Sequence, residues 1–216
     1  MEDNKTTSKS ESASPRVQAT LPKFKRCLPE DTPERLLTLY VDEVRRTGRD
    51  PHANPDTERV LADVCAWVTG SRYHSLLLMG SVGTGKTIML RALRRYFEPL
   101  IPDGMLGTGE IIPGVMLGRA AVIAKFDEYM IESAIHAKML LIDDFGVEPL
   151  VVKSYGTACT PLVDVLCERY ERLKPTIIST NLDLEAIGEK YGERLHDRMR
   201  EVYGSVAFNF KSFRQP

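Results

Sequence analysis

Apolar residues recur along this chain in two rhythms. Leu36, Leu37, Tyr40, Val41 and Val44 are spaced for one face of a helix, and Thr32-Pro33 ahead of them is a capping residue followed by proline at the first helical position. A helix is expected from Pro33 to about Arg46, with a stripe that must pack on the chain's own core or on a partner. Asn54-Pro55 repeats the start, opening a helix with Val60, Leu61, Val64, Trp67 and Val68 inward that stops at Gly70. Segments of strand length follow at Ser75 to Met79, Lys138 to Ile142, where Met139 to Ile142 is uninterruptedly apolar, and Thr176 to Ser179, as buried parallel strands require. Helical patterns separate them: Ile88, Leu90, Leu93 and Phe97; Asp127 to about Ala137; Thr157 to Arg172; and Leu184 to about Val202 with a break at Gly192. A strand from about Arg119 to Lys125 and a short one near Val206 to Phe210 complete the alternation. Strands alternating with helices predict an α/β fold, a parallel sheet with helices on both faces. Residues 99–118 carry five glycines and three prolines and read as a surface loop without regular structure.

Length and composition narrow this picture only a little. A chain of 216 residues holds one full α/β core and leaves no room for a second catalytic domain. Residues 1–30 begin as a Ser-, Thr-, Lys- and Glu-rich tail, expected to be disordered. A short helical segment, 31–51, and a single domain, 52–216, come after it. Within the tail's end, Leu21 to Arg26 is a short basic stretch containing one aromatic residue. A net charge of −1 gives no whole-molecule field towards nucleic acid or membrane, and Arg91, Arg94 and Arg95 read as a solvated helix face. With no signal core and no apolar run near the ~20 residues of a membrane span, the expected location is the cytoplasm. Cys27, Cys65, Cys159 and Cys167 lie far apart, three of them on predicted helices, and the four histidines are equally scattered. Neither a zinc pattern nor a disulfide framework results.

The chemistry begins after the strand that ends at Met79. Gly80, Ser81, Val82, Gly83, Thr84, Gly85, Lys86 and Thr87 fit the phosphate-loop pattern G-x-x-x-x-G-K-[ST] at every fixed position. A tight turn between a strand and a helix aims backbone N–H groups inward at the positive end of the helix dipole, a nest for phosphate oxygens. Lys86 would reach the β- and γ-phosphates of ATP, and the Thr87 hydroxyl would hold Mg²⁺ against them. The apolar run Met139 to Ile142 ends in Asp143 and Asp144. Ligands of parallel sheets gather at the carboxyl ends of strands, so the two carboxylates can meet the same phosphates, Asp143 on the metal and Asp144 polarising the attacking water. One strand later stands Asn181, which can orient that water or cap the helix that follows.

Taken in order, GSVGTGKT, LLIDDFG (140–146), IISTN (177–181) and GERLHDRM (192–199) resemble the AAA+ ATPases of the DnaC type, the bacterial replicative helicase loaders, over roughly residues 52–214. The IstB-type ATPases that assist transposases are closely similar, and the motifs separate the two poorly. The resemblance implies a P-loop AAA+ fold with little or no C-terminal helical lid. By position it makes Lys86 and Thr87 the Walker A pair, Asp143 and Asp144 the Walker B pair and Asn181 sensor 1. Arg198 matches the arginine finger with Arg194 beside it, and Arg214, in FNFKSFR (208–214), falls where a second nucleotide-sensing arginine is expected. It further implies Mg²⁺-dependent ATP hydrolysis and a homo-oligomer formed on binding ATP or a partner. The partners implied are a replicative DNA helicase, or alternatively a transposase, and DNA, single-stranded DNA included.

Three departures qualify these implications. Asp144 is one methylene shorter than the glutamate often found there, so slow turnover, stimulated by a partner or DNA, is expected. Initiator-type relatives carry an extra helix between the second and third strands that lines a DNA pore, whereas this sequence has only the helix from Asp127 to Ala137 there. The N-terminal region lacks the cysteine ligands of a zinc-binding docking domain, leaving docking to the Pro33 to Arg46 helix. A small-molecule phosphotransferase is the contrasting reading of the same loop, disfavoured by Asn181 and GERLHDRM; a nucleotide-binding adaptor with little turnover is another.

Overall fold

The computed structural model describes residues 29–51, 55–105, 109–125, 127–154 and 157–209. Helices α1 (Thr32–Arg46) and α2 (Pro55–Gly70) lead into strand β1 (Ser75–Gly80) and helix α3 (Lys86–Phe97). After them come a small antiparallel hairpin, β2 (Gly104–Met105) with β3 (Ile111–Ile112), then β4 (Val115–Arg119), α4 (Ala120–Ile123), α5 (Glu128–His136) and β5 (Met139–Phe145). A second hairpin, β6 (Val152–Ser154) with β7 (Thr157–Cys159), precedes α6 (Pro161–Glu171), β8 (Thr176–Thr180), α7 (Leu184–Tyr191), α8 (Glu193–Val202) and β9 (Tyr203–Phe208). The main sheet has the order β4-β5-β8-β1-β9, and every pairing in it is parallel.

Two cores result from the strict alternation of side chains along each strand. Leu76 and Leu78 of β1, Leu141 of β5, Ile177 of β8 and Phe208 of β9 face one way, where α1, α2 and α3 cover them with Leu36, Tyr40, Val60, Val64, Trp67, Leu90 and Phe97. Leu77, Leu140, Ile142 and Ile178 face the other way, beneath Ala134, Val165, Leu166, Ile187, Leu195 and Met199 of α5, α6, α7 and α8. Leu36, Tyr40 and Val44 of the α1 stripe therefore lie against the chain's own core, while Leu37, counted in that stripe, stays 48% exposed. A buried carboxylate fixes this contact: Glu43 of α1 accepts from Arg95 of α3 at 3.1 Å, and Thr32 and Tyr96 hydroxyls meet at 2.7 Å. Arg95 is thus an interhelical partner, while Arg94 pairs with Glu98 on its own helix and Arg91 stays exposed, as a solvated face would.

Three boundaries differ from expectation. The strand expected at Arg119 to Lys125 is displaced to Val115–Arg119, and 120–123 is helical. Ala120, Ile123 and Ala124 recur at helical spacing and are all buried, so packing overrides the β-branched propensity of Val122-Ile123. The 99–118 loop contains the β2–β3 hairpin, and Thr157 to Cys159 belongs to the second hairpin, so that α6 starts at Thr160-Pro161 and Cys159 lies on a strand. Among the described residues no helix is long and apolar enough to cross a membrane.

Candidate active site

The order β5-β8-β1 puts three neighbouring strands in charge of the candidate site, each delivering its residues at its carboxyl end. β1 ends at Gly80, where an added Cβ would stand 2.6 Å from the Phe208 carbonyl oxygen of β9, so only glycine lets the two strand ends approach this closely. Gly83 (φ +85°) and Gly85 (φ +95°) take the left-handed turns that bring 81–85 round into α3, while the buried Thr84 hydroxyl ties the loop to the Ser81 carbonyl at 2.9 Å. Val82, 60% exposed, marks the tip. Helix α3 starts at Lys86, so its first N–H groups and the positive end of its dipole face the loop.

Lys86 is buried, and its ammonium donates to the Gly80 carbonyl at 2.5 Å, the Ser81 carbonyl at 2.7 Å and the Asn181 Oδ1 at 2.8 Å. Thr87 Oγ1 donates to Asp143 Oδ1 at 2.9 Å. Asp143 is 6% exposed and its Oδ1 also accepts from Ser179 Oγ at 2.6 Å. Asp144 lies in the left-handed region (φ +58°), and its N–H donates to Ser179 Oγ at 3.1 Å. Five predicted residues therefore converge: Lys86, Thr87, Asp143 and Asn181 through direct hydrogen bonds, and Asp144 through Ser179. Ser179 is the one the sequence reading passed over. Its mark was a serine directly after the apolar pair Ile177-Ile178, on the strand that precedes Asn181.

The loop after β5 is held by α7. Gly146 N–H donates to Glu148, whose buried carboxylate also accepts from the Tyr191 hydroxyl, and Lys190 donates to the carbonyls of Gly146 and Glu148. Tyr191 stacks on Phe145 at 4.5 Å, and burial together with the Glu148 contact drives its phenol pKa well upward. The acidic end of β5 is thereby clamped from behind.

Arg198 stands elsewhere. Arg198 lines a small cavity with His74, Ser75, Thr176 and Tyr203, residues at the amino ends of β1, β8 and β9, on the sheet edge opposite the phosphate loop. Its guanidinium lies 4.8 Å over the Tyr170 ring and pairs with Glu171. Tyr170 in turn donates to Glu201 at 2.6 Å, which with burial pushes its pKa up to about 12. Arg194, one turn earlier, is exposed. Arg198 therefore cannot serve the phosphate loop of its own chain in this arrangement. Arg214 lies outside the described residues.

The donors fit the groups that the sequence implies. A nest of N–H groups beside a buried ammonium that donates to two carbonyls and an amide oxygen suits an anion. A hydroxyl and a carboxylate are the hard oxygen ligands Mg²⁺ takes alongside phosphate and water. Among the described residues no group of three or more His, Cys, Asp or Glu could hold a metal by itself, so any Mg²⁺ would need the phosphates to complete its shell.

No protein-family model and no curated protein matches the sequence. Solved structures do match in shape. The DnaC helicase loader superposes with TM-score 0.52 at 18% identity, over 81% of this chain and 98% of that one. A DNA replication initiation factor gives 0.53 at 18% identity over 72% of this chain and 47% of its own. AMPPCP-bound DnaA from Aquifex aeolicus gives 0.50 at 17% identity, over 72% and 48%. The chain thus spans about half the length of the last two. With its all-parallel β4-β5-β8-β1-β9 sheet and its phosphate loop between β1 and α3, the chain has the P-loop AAA+ fold of these replication proteins.

Proposed function

We propose that this chain binds ATP with Mg²⁺ and hydrolyses it as a switch in DNA replication, acting on a replicative helicase in the manner of a loader. The observation that carries the reading is the hydrogen-bonded set Lys86, Asn181, Thr87 and Asp143 at three adjacent strand ends, beside a phosphate-loop nest. The likeness to a helicase loader over nearly its whole length supports the choice of partner.

On this reading the loop N–H groups and Lys86 bind the phosphates. Lys86 must then exchange neutral acceptors for phosphate oxygens, which frees Asn181 Oδ1 to hold a water. Thr87 and Asp143 are the side chains that would hold Mg²⁺, whose contribution is to offset charge on the phosphate oxygens. Asp144 would accept a proton from the water that attacks the γ-phosphorus, while the bond from that phosphorus to the β–γ bridging oxygen breaks and ADP leaves. Arg194 and Arg198 serve a neighbouring subunit as cations towards its γ-phosphate, a role for which Arg198 has to leave Glu171 and Arg194 is already exposed.

Asp144→Asn tests the chemical half. Asparagine also tolerates the left-handed backbone at this position, so the fold and nucleotide binding persist while steady-state phosphate release falls by about 100-fold or more. Unchanged release removes Asp144 from the role. Capture of the replicative helicase on immobilised chain, released by ATP, tests the partner; capture of a transposase in its place supports the transposition alternative.

A further inference from the structure

We propose that Ser179 is a positioning residue for the Mg²⁺ site, a role that rests on the nucleotide reading above. The pairing of β5 with β8 runs Leu140 to Thr176, Leu141 to Ile177 and Ile142 to Ile178, then resumes at Phe145 to Thr180. Two residues, Asp143 and Asp144, therefore stand opposite one, Ser179. In a regular strand consecutive side chains point to opposite faces, so an unbroken β5 would send these carboxylates apart. The extra residue is a bulge, which breaks the alternation and re-aims the side chains after it.

A bulge leaves a backbone donor without its ladder partner, and here that donor is satisfied by a side chain. Asp144 N–H donates to Ser179 Oγ at 3.1 Å, at a left-handed backbone φ of +58° outside the region of regular strands. The same hydroxyl donates its own proton to Asp143 Oδ1 at 2.6 Å, the length of a charge-assisted bond. Thr87 donates to that same oxygen, so Oδ1 is held by two hydroxyls, and no bond among the described residues uses Oδ2. One hydroxyl, 1% exposed, thus fixes the backbone of one carboxylate and the side chain of the other. The geometry needs a group that donates and accepts at once. Serine and threonine do so, alanine does neither, and cysteine does both weakly.

The test reads metal dependence apart from turnover. Binding of a fluorescent ATP analogue is titrated with Mg²⁺, and separately measured in EDTA, for the wild type, Ser179→Ala and Ser179→Thr, with thermal melts of each. Expected is a rise of about tenfold or more in the Mg²⁺ concentration for half-maximal effect in Ser179→Ala, as when a group orienting a metal ligand is lost. Binding in EDTA stays at the wild-type level, and Ser179→Thr restores the Mg²⁺ response. The proposal is overturned by an unshifted Mg²⁺ midpoint in Ser179→Ala, by an equal loss in EDTA, or by a threonine variant that behaves like alanine. Should Ser179→Ala not fold, Ser179→Cys, of nearly the same volume, carries the same expectation in smaller measure, and an unshifted midpoint there overturns it equally. A wild type that binds the analogue without regard to Mg²⁺ overturns this inference alone. One that binds no nucleotide overturns the reading beneath it as well.

Discussion

Lys86 and Lys174 show how differently a single ammonium can be housed. Lys86 has three neutral acceptors and a phosphate nest beside it; Lys174 donates to the His136 carbonyl at 2.5 Å amid other cations. Burial, with Arg169 and Arg172 nearby, lowers the Lys174 pKa from 10.5 to about 8. The unfolded chain then holds this proton to higher pH than the folded one, so between about pH 8 and 10.5 the unfolded state binds more protons. Across that window the Lys174 contribution to stability rises with pH, and below it the penalty is present in full. Urea midpoints measured from pH 7 upwards for the wild type and Lys174→Met should differ by an amount that changes through the window and is flat beneath it. A constant difference would show that Lys174 titrates normally. None of this was legible in the sequence, where Lys174 sits in a polar turn; burial, the leading cause of the shift, depends on how that turn packs in the fold. The phosphate loop, in contrast, is a local pattern and could be read directly.

Arg169 acts on whole elements. It is 1% exposed on α6 and donates to the carbonyls of Ala134, Ile135 and Ala137 at the end of α5, to the Pro175 carbonyl and to Thr176 Oγ1 at the start of β8. A cation at the carboxyl end of α5 also meets the negative end of that helix dipole. Burial lowers its pKa to about 10, so it remains charged at neutral pH. Replacing it by methionine strands the carbonyls of Ala134, Ile135 and Ala137, while the Pro175 carbonyl keeps the Leu140 N–H. At about 1–3 kcal/mol for each buried unsatisfied acceptor, partly relieved by relaxation, the loss should be at least about 3 kcal/mol, read as a lowered urea midpoint. A loss under about 1 kcal/mol would mean that the carbonyls find water or one another. An arginine within a helical pattern reads as surface, so this clamp was invisible beforehand. The same holds for the β5 bulge, since register is a property of two strands. The displaced β4 has another cause: Val115 to Ala124 is apolar on both sides of Gly118-Arg119, and packing decides which part is strand and which helix.

At the scale of the whole molecule, the phosphate loop and Arg198 occupy opposite edges of one sheet, so a complete site on the proposed reading requires at least two chains. Hydrolysis should then rise more steeply than linearly with protein concentration. Subunits carrying Lys86→Ala lack a site but keep Arg194 and Arg198, whereas Arg198→Ala or Arg194→Ala subunits keep the site. Mixing the two inactive kinds should restore turnover for whichever arginine acts across the boundary; no gain with either removes the shared site. Beneath every such claim lies one that needs only a single chain, that Gly80 to Thr87 is a nucleotide site organised around Lys86. Equilibrium titration with ATP and Mg²⁺, followed calorimetrically for the wild type and Lys86→Ala, tests it most directly. The account predicts saturable one-to-one binding by the wild type and none by a folded Lys86→Ala; no binding by the wild type, or equal binding by both, would contradict it.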